Sequence, residues 1–300
     1  MVLRRLILPA VCAAALAPCL LSQKTVKRPA ILGVAHVALK TNDLAAARIF
    51  YGHDLGFAEP FTISSGAIFK VNDHQYIEVY STLKDDEDRL IRIAFETSNA
   101  RQLRDYLASK GIKVPDTVKK DGDGDYSFTV ADPEGHAIEY VEYVKSSIRG
   151  QYFGKAMPES RISQRIIHAG FTIQDRAAAD RFYADIMGHH STWYGGMTDT
   201  KVDWVDMRVP DGTDWLEYML NQPHPSVKTR GVMNHIALGV PDVKAAYQNL
   251  QDRGVKMDAP PKIGRDGKWQ LNLYDPNLTR AELMEPKPVE KPCCSPMLDK

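Results

Sequence analysis

Apolar and polar positions alternate over Ile31–Leu39, which predicts a strand. The period then lengthens: Ala46, Ile49, Phe50 and Leu55 fall on one apolar face at helical spacing. Asp43, at the junction, is placed to cap the helix start, and Gly56 to end it. Further alternating runs follow, at Ala67–Val71 and Gln75–Tyr80. The pattern is strand, helix, then about three strands.

The same grammar recurs three more times. His36 is followed by Asp43 at +7, Phe50 and Tyr51 at +14 and +15, and Gly56 at +20. His168 is followed by Asp175, Phe182, Tyr183 and Gly188 at the same steps. Shorter versions run from Arg92 to Asn99, Leu107 and Gly111, and from His235 to Asp242, Leu250 and Gly254. Val202–Val209 and Trp215–Leu220 are strand-like runs of the third unit. Four copies of one supersecondary unit predict a repeat-built fold. Units one and two fill 31–145, and units three and four fill 165–287. Residues 146–164 read as a linker, and 288–300 as a tail rich in Pro and Lys.

Candidate chemistry lies at repeat-related positions. The closing strand of each unit carries an acid: Glu78, Glu139, Glu217 and Glu282. Glu139 lies 47 residues after Arg92, and Glu282 lies 47 after His235. The second domain thus offers His168, Glu217, His235 and Glu282. The first offers His36, Glu78, Arg92 and Glu139, with an arginine where the second histidine is due. Two imidazoles and two carboxylates suit one divalent ion: Zn, Ni, Co, Mn or Fe(II). One ligand on each of four neighbouring strands can converge on a point, because alternate residues share a face. Arg92 would repel a cation, so the first site reads as degenerate.

Composition adds limits. The chain of 300 residues is 44% hydrophobic and 25% charged, which suits a globular core. Formal charge is zero, and no charge excess points to nucleic acid or anionic lipid. Residues 1–22 read as a secretory signal: Arg4 and Arg5, an apolar run from Leu6 to Leu21, then Ser22. An uncleaved anchor and a lipoprotein signal at Cys19 are the alternatives. The expectation is a secreted or periplasmic protein that leaves the membrane on cleavage. Cys12 and Cys19 would leave with the signal. Cys293 and Cys294 would remain, adjacent and unbridged, in a loose tail.

The repeated unit, the first-strand histidine and the closing run from Asp132 through Gly135 to Glu139 resemble the vicinal oxygen chelate superfamily. This group includes glyoxalase I, methylmalonyl-CoA epimerase, extradiol ring-cleaving dioxygenases and bleomycin-resistance proteins. The resemblance covers nearly all of the chain after residue 30. It implies an α+β fold: four βαβββ modules paired into two cup-shaped mixed sheets. In the second domain Leu278 replaces the usual Gly of the closing turn.

The set His168, Glu217, His235 and Glu282 is similar to the four ligands of glyoxalase I. That similarity implies a metal-dependent lyase, isomerase or epimerase acting on a small vicinal-oxygen substrate through an enediolate. Glu217 or Glu282 would be the base. Dioxygenase members need only three ligands, here His168, His235 and Glu282. Their signature has a histidine upstream of the final acid, which residues 258–273 lack, and Tyr274 abuts Asp275. A non-catalytic binding or resistance protein is the third reading. Trp215, Met219, Arg280, Trp204 and Tyr194 are candidates for the substrate pocket. Two domains in one chain fit a monomer or a homodimer. Asp121, Asp123 and Asp125 suggest a hairpin loop rather than a calcium loop, and His189 and His190 suggest loop histidines.

Overall fold

The computed structural model describes residues 26–222 and 224–298. The segment read as a signal, with Cys12 and Cys19, lies outside them. Among the described residues no helix is long and apolar enough to cross a membrane.

All four capping positions behave alike. Asp43, Asn99, Asp175 and Asp242 accept the backbone N–H three residues on, from Ala46, Gln102, Ala178 and Ala245. Each thereby satisfies a donor that the helix itself cannot. The capped helices are α1 (Leu44–Ala47), α2 (Ala100–Ser109), α4 (Arg176–Asp180) and α6 (Val243–Asp252); α3 (Ile148–Gln151) and α5 (Val227–Met233) lie between units. α1 and α4 run on into wider π-helical turns, Arg48–Asp54 and Arg181–Ile186. Gly56, Gly111, Gly188 and Gly254 follow the four capped helices with φ between +76° and +86°, where a side chain would be strained.

The first sheet holds β1 (Ile31–Lys40), β2 (Thr62–Ile63), β3 (Gly66–Lys70), β4 (Tyr76–Tyr80), β5 (Leu90–Thr97), β6 (Lys119–Lys120), β7 (Tyr126–Ala131) and β8 (Ala137–Glu142). The second holds β9 (Arg165–Thr172), β10 (His190–Gly195), β11 (Trp204–Arg208), β12 (Trp215–Met219), β13 (His235–Gly239), β14 (Lys262–Ile263), β15 (Trp269–Tyr274) and β16 (Arg280–Met284). Their orders are β2-β3-β4-β1-β5-β8-β7-β6 and β10-β11-β12-β9-β13-β16-β15-β14. Two modules thus meet along antiparallel first strands, β1 with β5 and β9 with β13. In each module the closing strand runs parallel to the first. This is the glyoxalase-like α+β fold expected from the repeat.

Period-two alternation divides the two faces. Leu216, Tyr218, Ile236, Leu238 and Leu283 enter one apolar cluster with Val37, Ile93, Phe95 and Ile138 of the first sheet. The positions between them face the concave side. Tyr51 donates to Asp275 and Tyr183 to Asp132, each at 3.0 Å and each across the domains. The repeated Tyr and the Asp of the closing turn therefore form two equivalent inter-domain bonds.

The two closing turns match in their backbone hydrogen bonds. Leu278 adopts φ +63° where Gly135 has +89°, a strain on the order of 1 kcal/mol for a non-glycine. Asp121 Oδ1 accepts three backbone N–H groups, from Asp123, Gly124 and Asp125, in the hairpin loop between β6 and β7.

Three expectations are corrected. The tail is packed: Ser295 Oγ bonds the backbone N and O of Tyr194, and Leu298 N donates to Thr192 O. Cys293 and Cys294 are joined by a disulfide, with Cys294 at φ +71°, a left-handed backbone that turns the two side chains toward each other. His189 lies in the loop as read, buried edge-on against Phe95 of the other domain, but His190 opens β10.

Candidate metal centre

Register places the second domain's four predicted donors in two neighbouring cross-strand rows. Glu217 of β12 pairs with Gly170 of β9, which pairs with His235 of β13. His168 of β9 pairs with Ala237 of β13, which pairs with Glu282 of β16. The inner strands carry the imidazoles and the outer strands the carboxylates, so the acids approach the histidine pair from either side.

The donor atoms converge. His168 Nε2 and His235 Nε2 are 3.0 Å apart. Glu217 Oε2 lies 3.2 Å from His235 Nε2 and 3.8 Å from His168 Nε2. Glu282 Oε2 lies 3.6 and 3.9 Å from the same atoms. An ion about 2.1 Å from four tetrahedral donors holds them about 3.4 Å apart. The observed spacing brackets that value. His168, Glu217 and His235 place one ligand atom each within 4.8 Å of one another, and Glu282 lies outside that mutual group. The three-residue set fits one divalent ion, with Glu282 facing both imidazoles from the other side.

Electrostatics agree. Burial, and then the Arg280 guanidinium, pushes His235 well below the usual imidazole range, against the bond to Met233 O. Burial does the same to His168, against the pull of Glu217. Both rings are therefore neutral near pH 7, with lone pairs free. His235 Nδ1 lies 2.8 Å from Met233 O, a bond that fixes the tautomer with Nε2 facing the acids. Burial raises Glu282 to about 7, with Arg280 opposing and Glu217 adding to the rise. Four acceptors face one another here, with the Arg280 guanidinium the cation that touches them.

A cavity of about 390 Å³ opens over the donors. Glu217, Glu282, Trp204, Met219 and Arg280 line it, as does Asp206, which the sequence reading missed. Asp206 pairs with Glu217 across β11 and β12, and burial raises its carboxyl well above the usual range. It shares a face with Trp204 two residues earlier, so strand alternation held the signal. Asn272, opposite Glu282 on β15, was also missed, and its buried Oδ1 has no partner. Arg280 has no ion pair among the described residues: Nε is buried and unpartnered, and Nη2 lies 2.8 and 2.9 Å from the ring nitrogens of His235. Two pocket candidates fall elsewhere. Tyr194 is exposed beside the tail, because alternation turns Trp193 inward instead. Trp215 packs behind the site, its ring 5.0 Å from that of His168 and under Lys268.

Two family models match the chain, at residues 33–140 and 167–272, and both describe the Glyoxalase/Bleomycin resistance protein/Dioxygenase superfamily. The chain belongs to this superfamily. No curated protein sequence matches it. Among solved structures it is similar to an extradiol ring-cleaving dioxygenase from B. fuscum, with TM-score 0.65 and 16% identity over 91% of this chain and 75% of that one. It is similar to the Mn(II)-bound glyoxalase from Novosphingobium aromaticivorans, with TM-score 0.65 and 18% identity over 86% and 83%. It is also similar to homoprotocatechuate 2,3-dioxygenase from Arthrobacter globiformis, with TM-score 0.65 and 16% identity over 87% and 81%. At such identities the likeness is one of fold.

The first glyoxalase-superfamily cup has the same register with different occupants. Glu78 pairs with Ala38, which pairs with Arg92; His36 pairs with Ala94, which pairs with Glu139. Arg92 reaches Glu78 at 2.5 Å and Glu139 at 2.6 Å, and His36 bonds Glu139 at 3.0 Å. Arg149, from α3 in the connecting segment, enters the cup and bonds Glu78 at 2.7 Å and Asp123 at 2.8 Å. Burial alone would raise Glu78, but His36, Arg149 and Arg92 outweigh it and hold the carboxyl at about 2. Glu139 stands at about 2 by the same balance, with His36 and Arg92 opposing burial.

Proposed function

We propose that His168, Glu217, His235 and Glu282 hold one divalent ion, and that the chain is a metal-dependent enzyme of the glyoxalase-like lyase, isomerase or epimerase type. The observation that carries this reading is the convergence of His168, Glu217, His235 and Glu282, whose carboxylates form no ion pair with Lys or Arg among the described residues, whereas in the first cup Arg92 and Arg149 pair with Glu78. The identity of the metal among Zn, Ni, Co, Mn and Fe(II) is left to measurement. When bound, the ion supplies a Lewis acid for an oxygen that gains negative charge.

The chain's own residues do the rest. These residues would hold the ion beside the cavity that Glu217 and Glu282 line, where it would polarise an oxygen of the substrate. Glu217 is the more open of the two acids, with its side chain 14% exposed against 5% for Glu282. We assign it the removal of the proton beside the substrate carbonyl. Arg280, without an acidic partner, meets an anionic group of the substrate. Trp204 and Met219 give the cavity its apolar wall. The substrate is therefore a small, oxygen-rich, anionic compound.

A second reading is a non-haem dioxygenase, because His168, His235 and Glu282 alone make a two-histidine, one-carboxylate set. Against it, Glu217 converges with the two histidines as a further carboxylate. Export of the chain, as a monomer or homodimer, completes the proposal and rests on residues 1–22 alone.

The test is metal content of the purified protein beside a His168→Ala/His235→Ala variant. The loaded protein is then offered small 2-hydroxy carbonyl acids in deuterium oxide. Deuterium entering at the carbon beside the carbonyl, lost in Glu217→Gln, supports proton transfer. Oxygen uptake with catechols would move the reading to ring cleavage. Metal-free protein that binds a ligand without turnover would leave a sequestering protein.

A further inference from the structure

Gly170 lies in the middle of β9, between Glu217 on one neighbouring strand and His235 on the other. A glycine inside a strand marks a place where something approaches the backbone closely. Here it is the His235 ring. A Cβ at residue 170 would stand 1.9 Å from His235 Cε1, 2.2 Å from Nδ1 and 2.7 Å from Nε2. The ring occupies the space a methyl group would fill.

The first cup provides the contrast. Ala38 holds the position of Gly170, again between a glutamate (Glu78) and the residue matching His235, which is Arg92. The guanidinium there sits on Glu78 and Glu139, at the far end of a long side chain. A histidine is too short to stand clear of the backbone in that way. Its ring must lie close over the neighbouring strand to bring Nε2 to the donors.

We propose that Gly170 is a positioning residue for the metal centre: it gives the His235 ring the clearance that puts Nε2 among the other donors. The proposal rests on the reading of His235 as a ligand. The obstacle a side chain would meet is itself a side chain, so the collision is relieved by turning the ring, not by moving β9. Turning the ring breaks the bond from Nδ1 to Met233 O and takes Nε2 away from Glu217 and His168.

The experiment is a double-mutant cycle on the full chain, with Zn(II) titrated into chelator-stripped protein by calorimetry. Wild type, Gly170→Ala, His235→Ala and Gly170→Ala/His235→Ala are compared, each with a melting curve without metal. The expected result is a loss of affinity of about 100-fold in Gly170→Ala, the upper end for displaced ligand support. The metal-free melt should stay cooperative and fall only modestly, because the preference of alanine for a strand interior offsets part of the lost Nδ1 bond to Met233 O. In the His235→Ala background the Gly170→Ala change should have no further effect, since no ring remains to displace. Equal losses in both backgrounds, or wild-type affinity in Gly170→Ala, would overturn the proposal. Should Gly170→Ala unfold the chain, recovery of the fold in Gly170→Ala/His235→Ala would show that the ring is what the methyl group meets, and failure to recover it would overturn the proposal. Wild type that takes up no metal would instead overturn the metal reading itself, a distinct result.

Discussion

The two cups of this chain share one register and differ in charge. In the first, Glu78 and Glu139 are both held down at about 2 by His36 and the arginines. In the second, Glu282 is pushed up to about 7 by burial beside Glu217. The first cup carries its own cations, Arg92 from β5 and Arg149 from α3. In the second, Arg280 rests on the His235 ring, and no Lys or Arg forms an ion pair with Glu217 or Glu282 among the described residues. A buried carboxylate needs a positive partner. One domain meets the need with protein; in the proposed reading the other leaves it for an ion. The difference teaches that the same register of acids can be satisfied by internal ion pairs instead.

The comparison can be broken most sharply at the second cup. His168→Ala/His235→Ala should lower metal content from about one ion per chain to background, read by elemental analysis. Equal content in both proteins would remove the distinction between the cups. The next effect lies in the first cup. Arg149→Ala leaves Glu78 with one partner fewer in a fully buried place. Removing one member of such a network costs about 3–5 kcal/mol, to be read from urea unfolding, with metal content unchanged.

The opposite pKa directions give a finer test. Glu78 and Glu139 titrate lower in the fold than the ordinary value of 4.5. Their stabilisation is therefore complete above pH 4.5 and is lost as pH falls toward 2. Glu282 is raised, so the metal-free fold holds its proton up to about pH 7. Metal must displace that proton, and affinity should fall by about tenfold per pH unit below 7. Above pH 7 it should level off, because both imidazoles are already neutral. Calorimetry in two buffers of different ionisation enthalpy counts the released proton. The smallest expected effect is a null one. Arg92→His alone should create no second metal site, because Ala38 denies the ring its clearance and Arg149 stays in the cup. A second equivalent of bound metal would show that the first cup needs only its histidine.

Local physics made much of this legible in the sequence. Asp43, Asn99, Asp175 and Asp242 cap helices because a short carboxylate or amide beside a helix start satisfies a free N–H. The four glycines end or follow helices because only they tolerate positive φ cheaply. Equal steps in matching modules located His168, His235 and Glu282, and Glu217 followed from the acid that each closing strand carries. Asp206 escaped because its unit lacks a repeat partner of the same chemistry: Ile68, opposite Glu78, holds the matching register position. Asn272 escaped for the same reason, since Thr129 stands opposite Glu139.

By itself, then, the sequence determined the module, its fourfold repetition and the donor positions, all of which follow from short-range periodicity and capping. Only the tertiary structure decided which donors lie side by side, that Arg149 fills the first cup, and that the tail packs along β10. It also decided that Gly170 leaves room for a ring on the next strand. Those features depend on distances between residues far apart in the chain, and such distances are set by strand register and packing, which no local pattern encodes.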